Sequence, residues 1–283
     1  MRGRDGALDE LIRLALEEDI GEGDWTTRWS VPAASRARAA IVAKEALVVA
    51  GTGAAAAVFR SVDPGVALDI LVGDGGAAEP GHALLCLGGP AGSILTGERT
   101  ALNFLGRLSG IATLTRRFVE AVEGTGARIV DTRKTTPGWR ALEKEAVRAG
   151  GGTNHRMGLH DMVLIKDNHI AAAGGISRAV EGVRRSNDRG LAVEVEVRDL
   201  DELETALELG VDRILLDNMR GDTLARAVER ARRLGPDRPE LEASGNVTLA
   251  TVRAIAETGV DLISVGALTH SAPAADISLR FEG

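Results

Sequence analysis

Apolar residues recur at three- and four-residue spacing from Leu8 to Leu16, with Asp9, Glu10, Arg13, Glu17 and Glu18 on the other face. That periodicity predicts an amphipathic helix, closed by Gly21–Trp25. Residues 37–49 then alternate and finish in the apolar run Ala46–Ala50. Gly51–Ser61 is Ala-rich and reads as a helix, and Val66–Val72 and Ala83–Leu87 read as strands between Gly/Pro turns. This first part is α+β, without strict βαβ order. From Gly97 to Gly124 the three- and four-residue spacing returns and predicts two helices broken near Ser109-Gly110, where the domain junction is expected.

Beyond the junction the pattern becomes serial. Apolar runs at Arg128–Val130, Met162–Ile165, Ala192–Val197, Arg213–Leu216, Glu240–Ala243 and Leu262–Val265 are each followed by a helical segment. Serial βα units imply parallel strands, in a closed barrel or an open doubly wound sheet. Polar positions decide between them. Each run ends on groups able to bind anions or do chemistry: Asp131-Thr132-Arg133-Lys134, Lys166 to His169, Glu196, Asp217-Asn218, Ser244-Gly245-Asn246 and Gly266-Ala267-Leu268. An open sheet uses the crevice at one switch point, whereas a barrel assembles its site from all its strand ends. Only six strands are clear, so an eight-stranded barrel would need Gly158–His160 or the tail; a smaller or incomplete barrel fits equally.

Composition narrows the chemistry. The 283 residues carry a net charge of −7, yet Asp131–His169 holds seven Lys or Arg and three of the five His, a cationic focus suited to an anion. With 34 basic against 41 acidic residues, four Phe, three Trp and no Tyr, nucleic acid is not an expected partner. Cys86 is the only cysteine and sits in an apolar strand, which excludes an intramolecular disulfide and argues against a catalytic thiol. No long uncharged apolar run occurs, so a soluble, cytoplasmic protein without membrane partners is expected.

Period two puts Glu194 and Glu196 on one face of their strand and Val193, Val195 and Val197 on the other. In a barrel both carboxylates point inward and need cationic partners, for which Lys134 and Lys166 are the candidates. Arg133 offers a planar fork for carboxylate or phosphate and Lys134 a mobile point charge, ahead of Pro137 at the start of a helix. Gly150–Gly152 permits close backbone approach to a ligand, with Asn154, His155 and Arg156 reaching the same mouth. Arg140, Lys144 and Arg148 read as a helix surface. Ser244–Asn246 and Gly266–Leu268 suit a phosphate, and Asp217 suits Mg²⁺ or ribose hydroxyls. His160, His169 and His270 have no zinc-ligand spacing.

The strings ERTALNFLGRLSGIAT, DTRKTTPGWRALEKEAVRAGGGTNHRMGLHDMVLIKDNHI, VEVEV, ILLDN, ASGN and VGALTHS, in this order, resemble the quinolinate phosphoribosyltransferase family from Gly21–Thr27 to the C-terminus. The resemblance implies an N-terminal α/β sandwich domain (1–109, rejoined by about 270–283) and an incomplete (β/α) barrel (110–269). It implies transfer of phosphoribose from phosphoribosyl pyrophosphate to quinolinate with decarboxylation, using Mg²⁺, in a homodimer or larger assembly with shared sites. Thr132, Arg133, Lys134, His155 and Arg156 would line the quinolinate pocket, with Arg99 arriving from a partner subunit. Lys134, Lys166, Glu196 and Asp217 would be catalytic, Glu196 and Asp217 also serving the metal. Ser244, Gly245, Asn246, Gly266, Ala267 and Leu268 would hold the 5′-phosphate. Trp139, Ala149 and Gly106 stand where the family more often has leucine, cysteine and glutamine. A phosphoribosyltransferase that does not decarboxylate, a paralogue associated with metal transport, and a non-catalytic sensor of phosphorylated metabolites remain alternatives.

Overall fold

A computed structural model describes residues 2–282, with side chains from Gly6 onward. The chain divides into two compact units: Met1–Arg116 with Thr136–Gly151 and Ala272–Gly283, and Arg117–Thr135 with Gly152–Ser271.

The first unit contains α1 (Arg2–Ile20), α2 (Trp25–Ser30), β1 (Arg36–Ala43), β2 (Leu47–Val48), α3 (Thr52–Val62), β3 (Ala67–Ile70), β4 (Ala77–Ala78), β5 (Ala83–Pro90) and most of α4 (Ala91–Ala121). In the second, β6 (Arg128–Val130) opens the parallel series. Helix α5 (Arg140–Ala149) belongs to the first unit. The second unit continues with β7 (Val163–Ile165), α6 (Asp167–Ala173), α7 (Ile176–Ser186), β8 (Val193–Val197), α8 (Leu200–Leu209), β9 (Arg213–Asp217), α9 (Gly221–Arg232), β10 (Glu240–Ser244), α10 (Val252–Glu257), β11 (Leu262–Ser264) and α11 (Ala267–His270). Strand β12 (Ile277–Phe281) returns to the first unit.

There the sheet runs β12-β1-β5-β3, antiparallel throughout, with Ala39 opposite Phe281 on one side and Leu87 on the other. Alternation along β1 buries Ala39 and Ile41, which pack with Leu85, Phe59, Ile94, Phe104 and Leu105 in one apolar core. Trp139 joins from the edge, stacked on Phe104 with ring centroids 4.5 Å apart.

Helix α4 runs unbroken through Ser109-Gly110, where the sequence predicts a break. A Cβ on Gly110 would lie 1.9 Å from the Pro273 carbonyl oxygen, and Gly106 accepts the Ala275 N–H through its own carbonyl. These glycines admit a close backbone neighbour and do not end the helix. Gly150 behaves likewise: an added Cβ would meet the Ala112 oxygen at 2.4 Å, so its smallness serves α4 and not a ligand. Lys144, expected on a helix surface, is fully buried, and α5 starts at Arg140, leaving Pro137 in the preceding turn.

All six strands of the second unit are parallel, in the order β6-β11-β10-β9-β8-β7. Chain neighbours pair from β7 to β11, and β11 pairs with the first strand, β6. The result is the incomplete (β/α) barrel the sequence implies, with its seam between β6 and β7. Near-continuous apolar strands such as Arg213–Asp217, with Ile214, Leu215 and Leu216 all buried, are the expected composition of a parallel sheet covered by helices. No helix among the described residues is long and apolar enough to cross a membrane.

Candidate active site

The C-terminal ends of the barrel strands surround a cavity of about 730 Å³ lying wholly within the second unit. The loop after β6 brings Thr132, Arg133 and Lys134, and the segment before β7 brings His155 and Arg156. The same cavity is lined by Lys166, Glu196 and Asp217, by Ser244, Gly245 and Asn246, and by Gly266 and Ala267. Strand geometry explains most of the convergence, because all but His155 and Arg156 sit at the C-terminal end of a strand or in the loop after it.

Local bonds fix the cationic arc. Thr132 Oγ1 accepts the Lys134 N–H at 3.0 Å, and the Lys134 carbonyl accepts from Thr269 Oγ1 at 2.7 Å. An added Cβ on Gly266 would lie 3.1 Å from Lys134 Cδ, so glycine leaves that side chain room. Arg156 donates from Nη1 to the Met162 carbonyl at 3.2 Å. Burial lowers the Arg156 pKa, and the charge of Arg133 lowers it further.

The carboxylates of the cavity have partners of their own. Glu196 Oε2 lies 3.2 Å from Lys166 Nζ, as the alternation in β8 predicts. Lys166 is about half exposed, so this pair is movable. Asp217, opposite Ser244 in the β9–β10 register, accepts from Asn218 Nδ2 at 2.9 Å. Asn218 and Asn246 both adopt left-handed backbone, with φ of 55° and 46°, a conformation Asn tolerates better than most residues.

Beneath the cationic arc lies a cluster that the sequence analysis misassigns. Glu194 is fully buried, and its partner is His155 and not Lys134. The His155 Nε2 is 3.0 Å from Glu194 Oε2 and 3.2 Å from Glu242 Oε2. Burial lowers the His155 pKa, but the two carboxylates overcome it and push the ring up to about 9. Nδ1 accepts the Arg156 N–H at 2.8 Å, which opposes a second ring proton there. Burial also pushes the Glu194 carboxyl up, against the pull of His155 beside it.

Several expectations fall elsewhere. Leu268 is fully buried and lines no part of the cavity, and its N–H is spent on the Val265 carbonyl. Asn154 is also outside the lining. Arg99 is exposed on α4 in the first unit. His169 accepts the Lys166 N–H through Nδ1 and so caps α6. Asp131, Asn218 and His270, named from the sequence without a role, also line the cavity, as do Glu242 and Thr248, which were not singled out. Glu242 had a signal: Glu240 and Glu242 alternate with Leu241 and Ala243 as the glutamates of β8 alternate with valines.

A barrel whose strand ends line one cavity with several cations and a carboxylate pair has the features of an enzyme of small, multiply charged anions. Residues 24–109 match the model for the N-terminal domain of quinolinate phosphoribosyl transferase, and 111–280 the model for its C-terminal domain. The chain belongs to the quinolinate phosphoribosyltransferase family. A probable carboxylating nicotinate-nucleotide pyrophosphorylase of Synechocystis is 47% identical over 273 residues, covering 96% of this chain and 92% of the relative. A decarboxylating quinolinate phosphoribosyltransferase of Nicotiana tabacum is 45% identical over 290 residues, covering 97% and 82%. The nicotinate-nucleotide pyrophosphorylase structure from Francisella tularensis superposes with a TM-score of 0.91 at 39% identity, covering 98% of this chain and 96% of that one.

Proposed function

We propose that this protein transfers phosphoribose from phosphoribosyl pyrophosphate to the ring nitrogen of quinolinate and decarboxylates the adduct, giving nicotinate mononucleotide, pyrophosphate and CO₂ for NAD biosynthesis. The observation that carries this reading is one cavity lined by both Arg133, Lys134 and Arg156 and the carboxylates of Glu196 and Asp217. Quinolinate presents two adjacent carboxylates, and Arg forks with a Lys point charge neutralise such a diacid. Ser244–Asn246 and Gly266–Ala267 suit the 5′-phosphate through their backbone.

With both substrates held, the bond from C1 of the ribose to pyrophosphate breaks, and the electron pair leaves with the pyrophosphate. Positive charge then grows on the sugar beside Glu196 and Asp217, fixed carboxylates that stabilise it without solvent reorganisation. The cationic arc aims the ring nitrogen's lone pair at C1, and positioning supplies much of the rate. The alkylated nitrogen withdraws electrons, so the neighbouring carboxylate departs as CO₂ and its carbon takes up a proton. No covalent enzyme intermediate is needed.

Glu196 and Asp217 are hard oxygen donors on adjacent strands, a set that fits Mg²⁺ shared with substrate phosphates. Bound there, Mg²⁺ would neutralise the diphosphate leaving group. Arg99, exposed on α4, is assigned to the site of a partner subunit in a homodimer or larger assembly.

Wild-type protein given carboxyl-labelled quinolinate, phosphoribosyl pyrophosphate and Mg²⁺ is expected to release labelled CO₂; turnover without it would sink the decarboxylating assignment. Arg133→Ala should raise the KM for quinolinate at least about tenfold, whereas Asp217→Ala should mainly impair use of the donor. Steady-state kinetics with each substrate varied separately checks both, and unchanged constants remove the corresponding role.

A further inference from the structure

Both ring nitrogens of His155 are engaged inside the protein. Nδ1 accepts the Arg156 N–H, and Nε2 meets Glu194 and Glu242 at 3.0 and 3.2 Å. The His155 backbone N–H is donated to Asp131 Oδ1 at 2.9 Å. Three carboxylates therefore sit under the pocket's cationic arc, all of them buried: Asp131 and Glu194 at 0% and Glu242 at 1% exposure. Arg213 of β9 adds a cation, its Nη1 3.7 Å from Glu242 Oε2. Neither oxygen of Glu194, nor Oε2 of Glu242, receives a well-directed hydrogen bond among the described residues.

Burying under-bonded carboxylates is expensive, and a floor that needed only packing would be apolar. Leu215, the rung partner of both Glu196 and Glu242, shows that apolar residues fit this layer. The carboxylates of β8 and β10, on either side of β9, instead converge on one ring nitrogen. The other face of that ring holds the backbone of Arg156, whose guanidinium is tied to Met162.

Building on the proposed function, we infer that Glu194 and Glu242 are positioning residues for the acid substrate. They seat the His155 ring by Nε2, so that the ring fixes the Arg156 backbone through Nδ1. His155 is thereby a rigid wall of the pocket and gives no N–H to the substrate, whose carboxylates fall to Arg133, Lys134 and Arg156. His155, Glu194 and Glu242 present ligand atoms within 4.8 Å of one another, which a transition-metal ion would also accept, so the test must separate the two.

The experiment measures Glu242→Gln, Glu194→Gln and the double variant, varying quinolinate and donor separately. Each single variant is expected to raise the KM for quinolinate about tenfold while kcat and the donor KM stay within about twofold. The double variant should be no worse than about the weaker single, because both act on one ring. Equal losses in all three constants with a lowered Tm, or an unchanged quinolinate KM, overturn the inference. So does stoichiometric Zn²⁺ binding by the wild type that Glu242→Gln abolishes. If Glu242→Gln does not fold, Glu194→Gln carries the same readout. A wild type that releases no CO₂ defeats the functional reading instead, and calorimetric titration of quinolinate into each protein then still decides whether the carboxylates set its affinity.

Discussion

Gly245 shows how closely single residues are matched around the cavity. Its φ of +105° is a conformation that L side chains rarely adopt, and an added Cβ would lie 2.2 Å from Asn218 Oδ1. Asn218 in turn holds the Asp217 carboxylate. Gly245→Ala should therefore lower kcat/KM for the phosphoribosyl donor by at least about tenfold, because it displaces both the loop proposed to hold the 5′-phosphate and a carboxylate. Kinetics with the donor as the varied substrate tests this, and an unaffected donor KM would show that the loop relaxes harmlessly. At this scale the charged strand ends were legible because each directly follows an apolar run. The His155 cluster was not, because its members come from a loop and two strands that lie on either side of a third. Alternation shows which way a glutamate points, but not what meets it there.

At the scale of elements, the sequence identified α4 but misread its glycines. Glycine breaks a solvated helix, whereas in a buried one it admits a neighbour, and only the tertiary partner distinguishes the two. Gly110→Ala should destabilise the first unit by about 2–3 kcal/mol, since the obstruction is the Pro273 backbone and not a pliable side chain. A Tm within a degree of wild type would contradict that. In the barrel, Arg238 holds Asp261 by two bonds of 2.7 and 2.8 Å, and Asp261 also accepts the Leu241 N–H at the entry to β10. Burial raises the Asp261 pKa, but Arg238 and the backbone bond outweigh it and hold the carboxyl below its usual range. A depressed folded pKa gives stability that is complete above the unfolded value of about 4 and is lost as pH falls through the folded one. Asp261→Asn should remove about 1–2 kcal/mol at neutral pH and flatten the acid limb of stability, read by denaturant unfolding from pH 7 down to about pH 3. Parallel acid limbs for variant and wild type would refute it.

For the molecule as a whole, the serial βα spacing and the strand-end chemistry were enough to place six strands in a barrel. Nothing in the local pattern reveals that Thr136–Gly151, lying between two barrel strands, packs with the first unit. Such an excursion is fixed by long-range partners, here Arg107 Nη2 at 3.0 Å from the buried Glu143. Assembly is tested at this scale too. If Arg99 serves a neighbouring barrel, Arg99→Ala and Arg133→Ala chains, each impaired alone at quinolinate well below their raised KM, should on random pairing restore about a quarter of wild-type sites. Confirmed mixing without recovery would confine each site to one chain.

Strand β12 bears on how the protein is made. It hydrogen-bonds along β1 from Ala43–Ile277 to Ala39–Phe281, so the sheet built from the earliest residues is finished by some of the last. While the ribosome is still adding the barrel, β1 has a bare flank, and the Gly106 and Gly110 face of α4 lacks the segment that covers it. The first unit, begun before the barrel, can thus be completed only after the barrel's residues are made, and in the interval its open strand edge is what a chaperone would have to shield.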